Sequence, residues 1–182
     1  MIATTIIDDR QLETMIRRIV AEMLNVNPPR RPETGPKCWL VNSQVQADLL
    51  RVVEAPDVDA PGIRNEPHWK TVKEIREGDK IVFRDSRAKQ LVGHAIAERF
   101  ERGEHRHMTG RPAVRWWLQD SVRYDRPIAD ATFKSLFKQH DDGRAGFSLI
   151  RLDGRYNQKA YCYQLSAALR DALAAASGRT EL

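Results

Sequence analysis

Trp69 stands in a polar stretch, Arg64-Asn65-Glu66-Pro67-His68-Trp69-Lys70. An indole in such company can act as a stacking platform for a planar ligand, because every nucleobase offers a π face. Arg64 and Lys70 would then supply charge for a neighbouring phosphate. The same ring could instead cap an apolar core, and the residue types leave both readings open. Two polar pairs have the groups to hydrogen-bond the edge of a planar ligand, Asn42-Ser43 and Asn157-Gln158. Each also has a purely structural use, Ser43 as a helix cap and Asn157-Gln158 as a turn.

Catalytic chemistry finds less support. Asp141-Asp142 is a pair of carboxylates in a turn with no matched acid or base nearby. His105-x-His107 could direct two imidazoles to one side, but zinc needs three or four ligands and no cysteine stands near them. His94 and Glu98 lack a supporting pattern. There is no Gly-Lys-Ser/Thr phosphate loop and no G-x-S-x-G. The chain is expected to be non-catalytic, to use no metal and no cofactor, and to leave any nuclease activity to a partner.

Charge points the same way. The 182 residues carry a net charge of +5. Between Arg84 and Arg126, ten Lys or Arg face six Asp or Glu. Arginine suits phosphate because its planar fork grips two oxygens at once. Arg84, Arg87 and Lys89, with Arg64 and Lys70, are the candidate phosphate contacts. Ordinary solvated surface would also produce such a balance.

The elements that must position these groups follow from periodicity. Asp8 or Asp9 caps a predicted helix running to Leu24, with Leu12, Met15, Ile16, Ile19, Val20 and Met23 as one apolar stripe. Residues 25–37, NVNPPRRPETGPK, form a proline-rich connector. The division is therefore residues 1–37, helix and linker, and residues 38–182, the compact domain. Residues 38–42 read as a buried strand. Ser43 is expected to cap a helix carrying Val45, Leu49, Leu50, Val52 and Val53, followed by a loop over residues 54–67. Residues 71–76 read as a short helix. Residues 79–84 and 90–100 read as antiparallel strands joined through 85–89, and 113–124 as the next strand. In that strand one of Trp116 and Trp117 must point inward and the other outward. Asp130 is expected to cap a helix to Lys138. Residues 147–152 and 160–165 read as strands, and Ser166 caps a last helix with Leu169, Leu173 and Ala174 inward. Short strands joined by tight turns predict an α+β fold, a small mixed barrel with flanking helices.

Hydrophobic residues make up 41% and charged residues 30%, the balance of a globular chain. The first residues lack the basic start and apolar middle of a signal peptide, so a cytoplasmic location is expected, with no membrane partner. Cys38 and Cys162 are expected to be small buried apolar groups.

Several stretches, taken in order, resemble the EVE-like branch of the PUA/YTH superfamily: CWLVNS, the tryptophan of HWKTV, EGDKIVF, LVGHAIA, RWWLQDSVRYDRPI and FSLIRLDGRYNQKAYCYQLS. The resemblance spans residues 37–173. It implies a compact PUA/EVE-like barrel that holds a flipped base in an aromatic-lined pocket. The YTH branch reads a methylated adenine; EVE-like domains of restriction systems resemble readers of modified cytosine in DNA. By the same resemblance Trp69 would be a cage wall, Asn42 and Ser43 would touch the base edge, and Phe83 and Asp85 would lie near the rim. The function so implied is a DNA-binding module that recognises a modified base and directs a nuclease or defence system. The alternatives are an RNA-binding PUA-like protein and an assembly domain that forms homodimers through the N-terminal helix. A hydrolase would need a carboxylate or histidine cluster in the folded pocket.

Overall fold

The computed structural model describes residues 35–44, 48–63, 67–141, 148–151, 153–157 and 161–182. The expected N-terminal helix, Arg64, Asp142 and Gln158 lie outside them, as does nearly all of the linker.

Cys38–Ser43 forms β1. Its side chains alternate in direction, as strand geometry requires. Cys38 and Leu40 enter one apolar cluster, Trp39 and Val41 another. Both faces of the strand are covered, so the sequence reads as an unbroken apolar run. Lys80–Asp85 (β3) obeys the same rule: Val82 faces the first cluster, Ile81 and Phe83 the second. β1 and β3 run parallel, with Trp39 opposite Ile81 and Asn42 opposite Arg84.

Val52–Pro56 (β2), Gln90–Glu104 (β4), Pro112–Ala129 (β5) and Cys162–Leu165 (β6) complete one mixed sheet of order β2-β5-β4-β3-β1-β6. The sheet curls into a half-barrel. Register shifts in the β4–β5 ladder at Leu91/Gly93, His94/Ile96 and Ala97/Arg99 assist the curl, since a bulge bends its strand and raises the local twist. Pro67–Glu74 (α1) adds Val72 to the second cluster. Asp130–His140 (α2) and Ala167–Ala176 (α3) cover the other face with Phe133, Phe137, Leu169 and Leu173. The result is the expected α+β arrangement, a small mixed barrel-like sheet with flanking helices. Among the described residues no helix is long and apolar enough to cross a membrane.

Ser166 caps α3 as expected, its Oγ accepting the Leu169 N–H at 3.0 Å. Trp116 is buried and Trp117 half-buried, as alternation requires. Cys38 and Cys162 are buried thiols; burial pushes the Cys38 pKa up to about 12, which leaves it unreactive.

Four local expectations are corrected. Val52 and Val53 belong to β2, not to a helix capped by Ser43. Leu50 adopts a left-handed backbone (φ 64°), which ends any helix there, and β5 captures the β-branched pair that follows. Residues 54–56, expected in a loop, therefore continue that strand. Asp130 does not cap α2; the cap residue is Ala129, and the Asp130 carboxylate turns to Arg84. Of the expected strand at residues 147–152, the described residues 148–151 hold an isolated bridge between Ile150 and Tyr156 in place of a strand.

Gly93 carries a steric prediction. A Cβ there would lie 2.2 Å from the Val122 carbonyl oxygen, 3.1 Å from Arg123 Cα and 3.0 Å from Leu50 Cδ2. Two of these are backbone atoms of β5, so the strands themselves would have to part. Gly93→Ala is expected to cost about 2–3 kcal/mol and to lower the melting temperature by roughly 5–10 °C. Thermal melts followed by circular dichroism check it, and an unchanged midpoint would show that the bulge relaxes freely.

Candidate functional site

The parallel register of β1 and β3 brings their carboxyl ends together. Asn42 and Ser43 stand beside Arg84 and Asp85. The chain then leaves both strands, and a cleft of about 640 Å³ opens at that point. A volume of this size falls within the range of small-ligand sites. Asn42, Ser43, Gln44, Arg84 and Ser86 form one side, and Tyr156 and Asn157 adjoin them. Asp48, Val52, Glu54, His105, His107 and Met108 line the rest, together with Tyr161, whose carbonyl accepts the Asn42 N–H at 2.9 Å.

The first side is stiff. Arg84 Nε donates to Asp130 Oδ1 at 2.9 Å, and Nη2 donates to Oδ2 at 2.5 Å. The guanidinium lies 3.8 Å from the Tyr156 ring centroid. Tyr156 Oη donates to the same carboxylate at 3.0 Å, and burial pushes its phenol pKa well above the usual range. A second, longer contact joins Arg84 Nη1 to Asn42 Oδ1 at 3.4 Å. Arg84 is thus a fixed wall, with Asn42 oriented beside it. Ser86 donates its N–H and Oγ–H to the Ser43 carbonyl at 3.0 and 2.9 Å, closing the turn after β3.

The second side is acidic and histidine-rich. Glu54 accepts from Arg115 Nε at 3.0 Å and from the Arg106 backbone N–H at 3.2 Å. His107 Nε2 lies 2.7 Å from Asp48 Oδ2. Arg106 Nη1 sits 2.9 Å from Asp48 Oδ1, an ion pair without hydrogen-bond alignment. His105 Nδ1 accepts the His107 N–H at 3.1 Å, and burial holds the His105 pKa below its ordinary value. Tyr161 is also buried enough for its phenol pKa to rise. These contacts dock the 105–111 loop against β2. The carboxylate and histidine cluster that a hydrolase would require is therefore present at the cleft, though its carboxylates are already engaged by arginines. Among the described residues no group of three or more His, Cys, Asp or Glu is arranged to hold a metal ion.

The sequence-derived candidates divide. Asn42 and Ser43 line the cleft, as does Asn157. Trp69 does not: its half-buried ring packs against the cluster of Trp39, Val41 and Phe83. Phe83 is wholly enclosed in that cluster because its position in β3 points it away from the cleft, so it does not reach a rim. Asp85 is buried too, its Oδ1 accepting the N–H groups of Arg87 (2.9 Å) and Ala88 (3.0 Å) to shape the hairpin turn. Arg84 is 5% exposed and ion-paired, which makes it a wall and not a surface cation. Arg87 and Lys89 remain exposed on the turn between β3 and β4, with no ion pair among the described residues. Asp48, Glu54, Met108, Tyr156 and Tyr161 were not foreseen. Their contacts join segments far apart in sequence, and no local pattern marks them.

Among the described residues, a half-barrel of mixed strands with three flanking helices, and a cleft at the ends of its parallel pair, make a PUA/EVE-like fold. No protein-family profile matches the sequence, and no curated protein matches it. Solved structures do. The human THYN1 protein, in complex with 5-methylcytosine-containing DNA, is similar at 16% identity, a TM-score of 0.52, and coverage of 79% of this chain and 99% of that one. A hypothetical protein from Leishmania major is similar at 14% identity and a TM-score of 0.50, covering 79% and 95%. The ASCH protein from Zymomonas mobilis matches at 14% identity and a TM-score of 0.49, covering 76% and 94%. At these identities the likeness is one of fold.

Proposed function

We propose that this chain is a non-catalytic nucleic-acid-binding module that receives one extruded base in the cleft at the ends of β1 and β3. Its target would be DNA bearing a modified cytosine, and its purpose to direct a nuclease or defence system. The observation that carries this reading is the cleft itself: Asn42 and Ser43 open onto a concavity with a cationic turn, Arg87 and Lys89, nearby in sequence. The fold shared with THYN1 adds support. Asn42 and Asn157 would read the base edge. Asp48 Oδ1, which has no aligned hydrogen bond, would supply an acceptor that suits an exocyclic amino group, as cytosine carries. Arg87 and Lys89 would meet phosphates, with Arg64 and Lys70 as further candidates. Trp69 would act indirectly, by supporting the end of β1. Residues 1–37 would be a separate arm able to pair two copies of the chain.

Extruding a base costs a few kcal/mol, which the pocket must recover by contact. One methyl group adds on the order of 0.8 kcal/mol when buried, about a fourfold gain in affinity. Fluorescence titration with oligonucleotides carrying plain, methylated and hydroxymethylated cytosine is expected to rank a modified strand first. Equal, weak, salt-sensitive binding to all three would defeat the modified-base reading, and preference for matched RNA would move the target to RNA. The Asp48–His107 contact favours a second reading, hydrolysis, since a carboxylate-oriented imidazole can serve as a general base. The same oligonucleotides run on a denaturing gel after incubation are expected to stay intact; cleavage lost in His107→Ala would establish the second reading instead.

A further inference from the structure

Met108 is one of two large apolar side chains exposed among the described residues, at 44%. The other, Phe100, leans on Trp116 with ring centroids 5.3 Å apart. Met108 has no such explanation in the core: it belongs to neither apolar cluster. It sits instead at the turn of the loop between β4 and β5, at the edge of the cleft.

That loop is built to hold it still. His105 N–H donates to the Arg111 carbonyl at 2.7 Å, Met108 N–H to the His105 carbonyl at 3.3 Å, and Arg111 N–H to the Met108 carbonyl at 3.1 Å. Gly110 supplies the left-handed turn (φ 72°). Glu54 and Asp48 clamp the loop from below through Arg106 and His107. Arg111 Nη1 lies 3.4 Å from Met108 Sδ, so a cation sits directly beside the exposed thioether. An apolar tip on a rigid loop, with arginine at its side and a base-sized concavity below, has the parts of a duplex wedge. Such wedges enter the stack between bases and offset part of the unstacking cost. Methionine suits the task, being unbranched and polarisable.

The geometry points to Met108 as the residue that fills the gap in the duplex left when a base moves into the cleft, with Arg111 against a flanking phosphate. This rests on the base-reading function proposed above and adds the means of extrusion. A wedge matters only where a stack must be opened. It should therefore count for double-stranded and not for single-stranded DNA.

The test uses the full chain and Met108→Ala, with 5-methylcytosine in one oligonucleotide, offered single-stranded and as a duplex. Met108→Ala is expected to weaken duplex binding about tenfold, to leave single-strand binding within about twofold, and to be rescued by Met108→Leu. A 2-aminopurine next to the modified base should brighten when the wild-type protein binds the duplex and brighten less with Met108→Ala. Equal losses on both substrates, or no loss on either, would overturn the wedge while leaving the base-reading function standing. Failure of the wild-type chain to bind either form would remove that function and the wedge with it.

Discussion

Asp79→Ala is expected to destabilise the fold by about 4 kcal/mol. The Asp79 carboxylate is buried and accepts three hydrogen bonds: Lys37 N–H at 2.8 Å, Trp39 Nε1–H at 2.8 Å and Arg76 N–H at 2.9 Å. It ties the entry of β1, the largest core aromatic and the end of the α1 segment to one side chain. Alanine removes every acceptor at once and leaves the buried indole N–H unsatisfied. Hydrogen bonds to charged groups contribute roughly 1.5–3 kcal/mol each, and shared losses of this kind sum to less than their parts. For a chain of this size the melting temperature should fall by roughly 10–15 °C. Asp79→Asn keeps one acceptor oxygen, so its loss should be less than half as large. Urea denaturation of both variants, with tryptophan fluorescence as one probe, tests the order; equal losses would mean that only the charge matters.

Arg84→Ala should be comparably severe, at roughly 3–5 kcal/mol, because it strands the Asp130 carboxylate. The pair is enclosed, with side-chain exposures of 7% and 17%. Tyr156 alone would remain to bond Asp130. The double variant Arg84→Met/Asp130→Leu removes both charges and should recover much of the stability, since a well-packed apolar pair can replace a buried ion pair at little cost. It should not recover binding of the proposed oligonucleotide ligand, because the cleft loses its arginine wall. Chemical denaturation and oligonucleotide titration on the same three proteins separate the two effects. Full binding by the double variant would show that Arg84 serves stability alone.

The Glu77-Gly78-Asp79 turn shows how far the sequence could be read. Glycine before an acidic residue, just ahead of an apolar run, announced the turn and β3, and Gly78 does take the left-handed backbone (φ 84°). What Asp79 binds was not legible, because its partners lie up to 42 positions away. Asn42 and Ser43 were recognisable as polar residues at the end of a buried strand, and they do open on the cleft. Trp69 has polar neighbours in sequence, yet from helix α1 its half-buried ring packs against the apolar cluster that holds Trp39 and Val41. Polar company along the chain does not fix the direction of a side chain once a helix forms. His105 and His107 were weighed as a metal pair from spacing alone. Their partners, Glu54 and Asp48, come from β2 and the segment just before it, with Asp48 59 positions from His107 in sequence. Val52 and Val53 read as helical alongside Val45, Leu49 and Leu50, but their pairing with Trp117 and Trp116 makes them a strand.

The side-by-side placement of β1 and β3 also constrains how the protein comes into being. Asn42 and Arg84 are 42 positions apart, yet they meet in one ladder flanked by β4 and β6. Non-local contacts of this sort raise contact order and retard folding, since the intervening loop must be closed before the pairing rewards it. The cleft is therefore expected to form as this sheet closes, so the oligonucleotide binding proposed above should appear during refolding with the same rate constant as native tryptophan fluorescence.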